Sequence, residues 1–179
     1  MNKIKLLPLT ITAVITAAIL FGGWSAYRYY GLEKPLDKVA NAIPGVDAAK
    51  IAMTNETVKI DVKLSPDADL GAVYRRIMED GAGEIGARQL ELKATAEGAS
   101  ERLEEAWSQS LFDVAEAMEN RQYSGVREAM DNLTVQYPGL SVKTDMDDKN
   151  VYISMKDGEA AKFVVLPRQP ATLGVWPNA

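Results

Sequence analysis

The stretch LDKVANAIPGVDAAKIAMTNETVKIDVK at residues 36–63 recurs in outline as MDNLTVQYPGLSVKTDMDDKNVYISMK at residues 130–156. A single one-residue gap places Pro44-Gly45 on Pro138-Gly139. The apolar and basic positions on both sides of this dipeptide also match, as Leu36/Met130, Val39/Leu133, Ile43/Tyr137, Val46/Leu140, Lys50/Lys143, Met53/Met146, Val58/Val151, Ile60/Ile153 and Lys63/Lys156. The chain therefore carries two copies of one structural pattern.

Each copy predicts a short helix, a stop and a β-hairpin. The apolar residues before the dipeptide are spaced by three and four, which is typical of one helix face. Proline cannot continue that helix, and glycine accepts the left-handed backbone at its exit. The residues that follow alternate with a period of two, which predicts strands with one buried face. The inward positions are Val58, Ile60, Val62 and Leu64 in the first copy and Val151, Ile153 and Met155 in the second, with Tyr152, Ser154 and Lys156 facing outward.

The first copy continues into a second helix and a third strand. Asp67 or Asp69 is placed to cap a helix. Glycines at positions 81, 83 and 86 end this helix, and RQLELKATA then alternates as a strand. The helix has an apolar face of Leu70, Val73, Ile77 and Met78, and the strand places Leu90, Leu92 and Ala94 inward. Residues 32–97 are therefore predicted to form an α-β-β-α-β module.

The second copy, within residues 98–167, is abbreviated and follows a long helix. That helix starts at Ser100, and Ser124 is placed to cap the next helix. After the hairpin, DGEAAKFVVLP leaves room for a turn and one strand only. The apolar stripe of the long helix is predicted to face the core through Leu103, Trp107, Leu111, Val114 and Met118. Residues 168–179 form a proline-punctuated tail, predicted to be loose, that contains Trp176.

The N-terminal segment, residues 1–31, is predicted to be a membrane anchor. Residues 6–27, LLPLTITAVITAAILFGGWSAY, contain no charged side chain. A helix of this length spans about 33 Å, which is enough to cross a bilayer. The end of the run carries the aromatic residues expected at a membrane interface, namely Trp24, Tyr27, Tyr29 and Tyr30.

A cleaved signal peptide is the alternative to a retained anchor. The basic start MNKIKLL fits it, and a cut after Ser25 would place Gly23 at the −3 position. The apolar run is longer than the usual apolar region of a signal peptide, which favours the anchor. Basic residues before and after the span nearly balance. The very short basic head is typical of an uncleaved export signal, so we expect the soluble region outside the cytoplasm.

The composition excludes several classes of chemistry. The 179 residues include no cysteine and no histidine, so disulfides, thiolate nucleophiles and the commonest general base are absent. The net charge of −5, without a basic stripe in the soluble region, argues against a nucleic-acid partner. The expected fold class is α+β, with a transmembrane helix, the α-β-β-α-β module and the abbreviated helix–hairpin–strand half joined to it by the long helix.

The acidic run Asp145-x-Asp147-Asp148 is the strongest candidate for a cation site. Lys149 occupies the next ligand position of a calcium loop, and no central glycine follows. The aligned residues of the first copy are Ala52, Thr54 and Asn55, in a polar turn. We therefore interpret the three aspartates as the tip of a hairpin. No catalytic residue, cofactor site or metal site is predicted.

The order of elements over residues 36–96 resembles two known groups. One is the alkaline-shock protein family of Gram-positive bacteria, and the other is the ring-building motif of membrane-anchored sporulation and secretion proteins. The resemblance depends on the helix, the Pro-Gly-Val turn, the strand VKIDVKL and the acid-capped helix before the last strand. It implies assembly at the bacterial envelope and supplies no catalytic residues.

These observations predict a membrane-anchored, non-catalytic envelope protein that self-associates or binds other envelope proteins. Its interaction residues are predicted to be Tyr74, Arg75, Arg76 and Trp176. One alternative is a module that binds cell-wall polymer through exposed aromatic residues, with Tyr74, Tyr123 and Tyr152 as candidates. Another is a hydrolase that depends on carboxylates, although no spacing of acidic residues marks such a site.

Overall fold

The protein has the predicted α+β architecture in a computed structural model that describes residues 6–98 and 100–168. The helices are α1 (Leu6–Arg28), α2 (Lys34–Asn41), α3 (Leu70–Asp80), α4 (Ala82–Ile85), α5 (Glu101–Glu119) and α6 (Tyr123–Gln136), with a π-helical turn at Tyr29–Glu33. The strands are β1 (Val46–Met53), β2 (Thr57–Leu64), β3 (Gln89–Ala96), β4 (Ser141–Met146), β5 (Asn150–Asp157) and β6 (Ala160–Pro167).

The N-terminal segment is one helical rod. Helix α1, the π-helical turn and α2 follow one another without a break from Leu6 to Asn41. From Thr10 onward the rod is long and apolar enough to cross a membrane, with a mean hydropathy of 1.4 over its apolar part and none of that part buried in the protein. A signal sequence meets the same criteria of length and composition.

The first half of the soluble region is built on a three-stranded sheet. Strands β1 and β2 are antiparallel, whereas β3 runs parallel to β2 after the crossover through α3. The predicted inward positions of β2 are buried against the helices on that side. Asp69 caps α3 by accepting a hydrogen bond from the amide of Ala72 at 2.9 Å, which satisfies an otherwise unpaired helical N–H.

The one-residue gap between the two copies has a structural counterpart. In the first hairpin Val46 pairs with Leu64 and Ala48 with Lys63, so Asp47 is an extra residue in a β-bulge. The second hairpin pairs Ser141 with Lys156 and has no such irregularity. Beyond the bulge the registers agree at every aligned pair, for example Met53 with Val58 and Met146 with Val151.

The second half is an antiparallel sheet, β4-β5-β6, with α5 and α6 packed on the face of Val151, Ile153 and Met155. The predicted stripe of α5 is partly wrong, because Leu111 is 45% exposed. The buried face is instead Leu103, Ala106, Ser110, Val114 and Ala117. Small residues are needed there because α6 lies close: a Cβ at Gly125 would stand 3.0 Å from the Cβ of Ala117.

Two predicted helix starts have different outcomes. Ser100 caps α5 by accepting a hydrogen bond from the amide of Leu103 at 3.3 Å. Ser124 does not cap α6, which already begins at Tyr123. The preceding backbone turns sharply at Arg121, whose φ is +56°. The α5–α6 connection is therefore so short that α6 starts two residues earlier than the capping pattern predicts, with Gln122 and not Ser124 at the N-cap position.

The two sheets meet along β3 and β6, which lie side by side. Within the described residues no hydrogen-bonded ladder joins these strands. Helices α2 and α3 belong to the core of the first half, which also includes residues from one face of the second sheet. Helices α5 and α6 pack on the opposite face of the second sheet. Tyr152 was predicted to face outward, but it is 1% exposed and packs in the core of the first half. The prediction is wrong because both faces of β5 are covered, one by α5 and α6 and the other by α3.

Candidate functional site

The junction between the two halves is held by ion pairs that link α3 and its leading turn to β4 and β5. Arg75 contacts Asp145 at 2.9 Å, and Lys143 contacts Asp69 at 2.5 Å. Lys156 pairs with Asp67. Since these side chains are partly exposed, each pair stabilises the protein only modestly. Together they fix the second hairpin over the N-terminal end of α3.

The predicted interaction residues have different environments in the structure. Tyr74 is 5% exposed, with its ring centroid 5.4 Å from that of Tyr152, so it is a core residue. Arg75 is engaged by Asp145, whereas Arg76 is exposed beside it. Trp176 lies outside the described residues. Of the four, only Arg76 is both described and free to contact another molecule.

The acidic loop between β4 and β5 is organised by Asp147. Its Oδ2 accepts a hydrogen bond from the hydroxyl of Tyr152 at 2.5 Å. Its Oδ1 accepts from the backbone amides of Lys149 and Asn150, both at 2.8 Å. The side-chain amide of Asn150 donates to the Tyr152 hydroxyl at 3.2 Å. Asp147 therefore closes the turn, as the sequence predicts for a hairpin tip, and also satisfies a buried tyrosine hydroxyl, which the sequence does not reveal.

The ionisation of this network follows from its contacts. Burial alone would raise the pKa of Asp147, but hydrogen bonds from Tyr152 and from the amides of Lys149 and Asn150 outweigh it and hold that pKa below its usual range. The pKa of Tyr152 is strongly raised by burial and by its hydrogen bond to the Asp147 carboxylate. The hydrogen bond between them thus favours a charged Asp147 carboxylate beside a neutral Tyr152 phenol.

The loop is not arranged to hold a cation. Asp145 is directed to Arg75, and both carboxylate oxygens of Asp147 accept hydrogen bonds. No cluster of three or more acidic side chains suited to a metal occurs among residues 6–98 and 100–168. These contacts leave Asp148 as the one exposed acid of the three without an ion pair, and a single carboxylate does not make a calcium site.

An open cleft of about 470 Å³ is lined by residues of α3, β3, the β4–β5 loop and β6. Its wall includes Tyr74, Arg88, Leu92, Lys149 and Arg168. The Arg88 guanidinium donates to the carbonyls of Thr54, Glu84 and Ile85, so it is already engaged. The cleft wall thus has mixed charge, and its acidic residues are Glu91, which pairs with Lys59 at 3.2 Å, and Asp148.

The outer face of α5 carries a surface feature that the sequence analysis missed. Phe112 is 82% exposed and its neighbour Leu111 is 45% exposed. Both lie in the middle of α5, outside its buried face. An available signal was that Phe112 falls outside the stripe spaced by three and four, so a large apolar residue was left on the solvent side. An exposed aromatic residue of this size is a candidate contact for another protein.

Comparison of the chain with known proteins finds no matching family, no similar curated protein and no similar solved structure.

Proposed function

We propose that this chain is a single-pass membrane protein that binds other envelope proteins, or further copies of itself, in an assembly at the bacterial envelope. The observation that carries the proposal is the unbroken helical rod from the apolar span into the folded core. This proposal agrees with the resemblance to envelope ring-building modules.

The rod leaves no flexible linker between membrane and domain. Leu32 packs against the core at the π-helical turn, and Leu36, one turn later, is fully buried. Arg28 and Glu33 bracket the turn with a 3.3 Å ion pair. From Trp24 to Leu36 the helix advances about 18 Å. A domain held this close to the bilayer in a fixed orientation suits a fixed neighbour better than a mobile substrate.

The burial of aromatic residues weighs against the polymer-binding alternative. Recognition of a polysaccharide would require exposed rings, and two of its three candidates, Tyr74 and Tyr152, lie in the core. The third, Tyr123, is half-buried beneath the guanidinium of Arg168, which lies 4.5 Å from its ring centroid. The carboxylate-dependent hydrolase is the weakest alternative, since the acidic loop is used for hydrogen bonds and ion pairs.

The test is chemical crosslinking of the full-length protein in native membranes, followed by light scattering after extraction in mild detergent. We expect species heavier than the 19.5 kDa monomer. A matched variant with ten Gly/Ser residues inserted between Gly31 and Leu32 should fold but lose those species, because the domain is no longer held in place. A monomer without any crosslinked species in the wild type would refute the proposal.

Membrane orientation has its own test, which benefits from the absence of cysteine. Asn55, at the exposed tip of the first hairpin, is replaced by cysteine in one variant, and Asn2 in another. We expect a membrane-impermeant maleimide to label Asn55→Cys in cells with a permeable outer layer and to spare Asn2→Cys. The reverse pattern would place the domain in the cytoplasm.

A further inference from the structure

The outer face of α5 combines an exposed aromatic side chain with a line of carboxylates. At 100° per residue, Glu101, Glu105, Glu116 and Glu119 all lie within about 40° of Phe112 around the helix axis. The buried residues Leu103, Ser110 and Val114 lie on the opposite side. Phe112 is therefore the apolar centre of an acidic strip that runs along the whole helix. We call these five residues, Glu101, Glu105, Phe112, Glu116 and Glu119, the α5 strip.

None of the four glutamates of the α5 strip forms an ion pair within the described part of the chain. By contrast, Glu104, on the flank of the same helix, is paired with Lys162 at 2.7 Å. The last turn of α5 contains no basic residue. Carboxylates near a helix C-terminus interact unfavourably with the helix dipole. Glu116 and Glu119 therefore add nothing to the stability of α5.

We propose that the α5 strip is a docking surface for a basic segment of another protein, with an apolar residue of that segment packed on Phe112. This inference rests on the proposed protein-binding function and names the chemistry of the partner. An aromatic residue surrounded by polar residues is a common centre of a protein interface. Lysine or arginine residues of the partner complement the four glutamates.

Charge decides between the three occupants that this surface could take. An anionic bilayer surface repels a strip of four carboxylates. A second copy bound through the same face would bring two acidic strips together, and the whole chain carries a net charge of −5. A basic segment of a different protein meets neither obstacle. The association we propose is therefore heterotypic.

The first experiment places the photoreactive residue benzoylphenylalanine at position 112 of the full-length protein in cells. The matched control carries it at Val135, which is 80% exposed on α6. We expect a strong crosslink at position 112 to a peptide rich in lysine and arginine, and little at position 135. A crosslink from position 112 to lipid, to a second copy or to an acidic peptide would overturn the inference, and so would equal yields at the two positions.

The second experiment moves the photoreactive residue to Ser108, an exposed position one turn from Phe112. In this background Phe112→Ser should lower the crosslink yield about tenfold, as expected for the loss of an interface anchor. Glu116→Lys with Glu119→Lys should lower it further, and Val135→Ser should leave it unchanged. These changes are at exposed positions, and unaltered circular dichroism would show that the fold is kept.

The outcome distinguishes the two proposals. If heavier species still form in native membranes while Phe112→Ser leaves the crosslink at position 108 unchanged, the α5 strip is not the docking surface and the protein-binding function stands. If the wild type forms no heavier species at all, the proposed function itself is refuted.

Discussion

The two halves of the soluble region start from the same pattern and end in different environments. Each has a helix, a Pro-Gly turn and an antiparallel hairpin in equivalent register. In the first half the outward positions of β2, such as Lys59, face solvent. In the second half the equivalent residue is Tyr152, and it is buried against α3 of the first half. Equivalent sequence positions thus have opposite exposure, because only one of the two sheets is covered on both faces.

The third strand shows the same divergence. Residues 65–88 separate β2 from β3 and contain α3, so the chain can cross over and add a parallel strand. Only Gly158 and Glu159 separate β5 from β6, and such a short connection permits only an antiparallel strand. The two copies therefore differ in their connections and agree in the hairpin itself.

The largest expected effect tests Tyr152, the buried member of the equivalent positions Lys59 and Tyr152. Tyr152→Ala removes a fully buried ring and leaves Oδ2 of Asp147 without the hydroxyl donor of Tyr152, so we expect the free energy of unfolding to fall by about 3–5 kcal/mol. Lys59→Ala, at the equivalent exposed position, should change it by less than about 0.5 kcal/mol. Urea unfolding of the full-length protein in mild detergent, followed by circular dichroism, measures both. Similar losses for the two variants would contradict the difference in burial.

The two Pro-Gly turns provide the next comparison. Gly45 and Gly139 have φ angles of +88° and +91°, which disfavour any residue with a Cβ. A Cβ at Gly45 would lie 2.9 Å from the Cβ of Ala68, whereas nothing lies within 4 Å of one at Gly139. We expect Gly45→Ala to lower the free energy of unfolding by about 2–4 kcal/mol and Gly139→Ala by about 1–2 kcal/mol. The same urea titration measures the free energy of unfolding of both variants. A larger decrease for Gly139→Ala than for Gly45→Ala would show that the first turn is less tightly packed than described.

The junction between the halves should contribute to acid sensitivity. The hydrogen bond from Lys143 holds the pKa of Asp69 below its usual value. The unfolded state therefore binds a proton more readily, so this stabilisation is present above the unfolded pKa of about 4 and is lost as pH falls through the folded pKa. Lys143→Gln should make stability fall less steeply between about pH 5 and pH 2. Thermal melts across this range measure the slope.

The control for this pH experiment is Lys50→Gln. Lys50 is the equivalent lysine of the first half, is exposed, and forms no ion pair within the described residues. In Lys50→Gln the stability should fall with decreasing pH as steeply as it does in the wild type. An equal change in slope for both variants would mean that general charge, and not the contact with Asp69, sets the acid sensitivity.

The smallest expected effect concerns the exposed ion pair between the halves. Arg75 and Asp145 have side chains that are 43% and 36% exposed. Arg75→Ala should lower the free energy of unfolding by less than about 1 kcal/mol. Arg76→Ala, at the unpaired neighbour, should have no measurable effect. A loss well above 1 kcal/mol for Arg75→Ala would mean that this pair, and not the apolar contact through Tyr152, dominates the junction.

Much of the secondary structure was predictable from local pattern. The alternation in β2 and β5, the Pro-Gly stops and the caps at Asp69 and Ser100 depend on short-range chemistry. The exposed surface residues were harder to predict from the sequence. A tyrosine is equally compatible with an exposed or a buried position, because it satisfies its hydroxyl either with water or with a protein partner, as Tyr152 does with Asp147. The exposure of Phe112 did have a signal in the pattern, since this residue falls outside the apolar stripe of α5.

The sequence by itself determined an apolar N-terminal helix, the duplicated helix–hairpin pattern, and an acidic loop that lacks calcium-ligand spacing. Only the tertiary structure decided which faces of the second sheet are covered, which face of α5 is buried, and that the apolar helix runs unbroken into the core. The physical reason is that periodicity reports one buried face per element. A second buried face, or a choice between two stripes on one helix, depends on neighbours that are distant in sequence, here α3 against Tyr152 and α6 against α5.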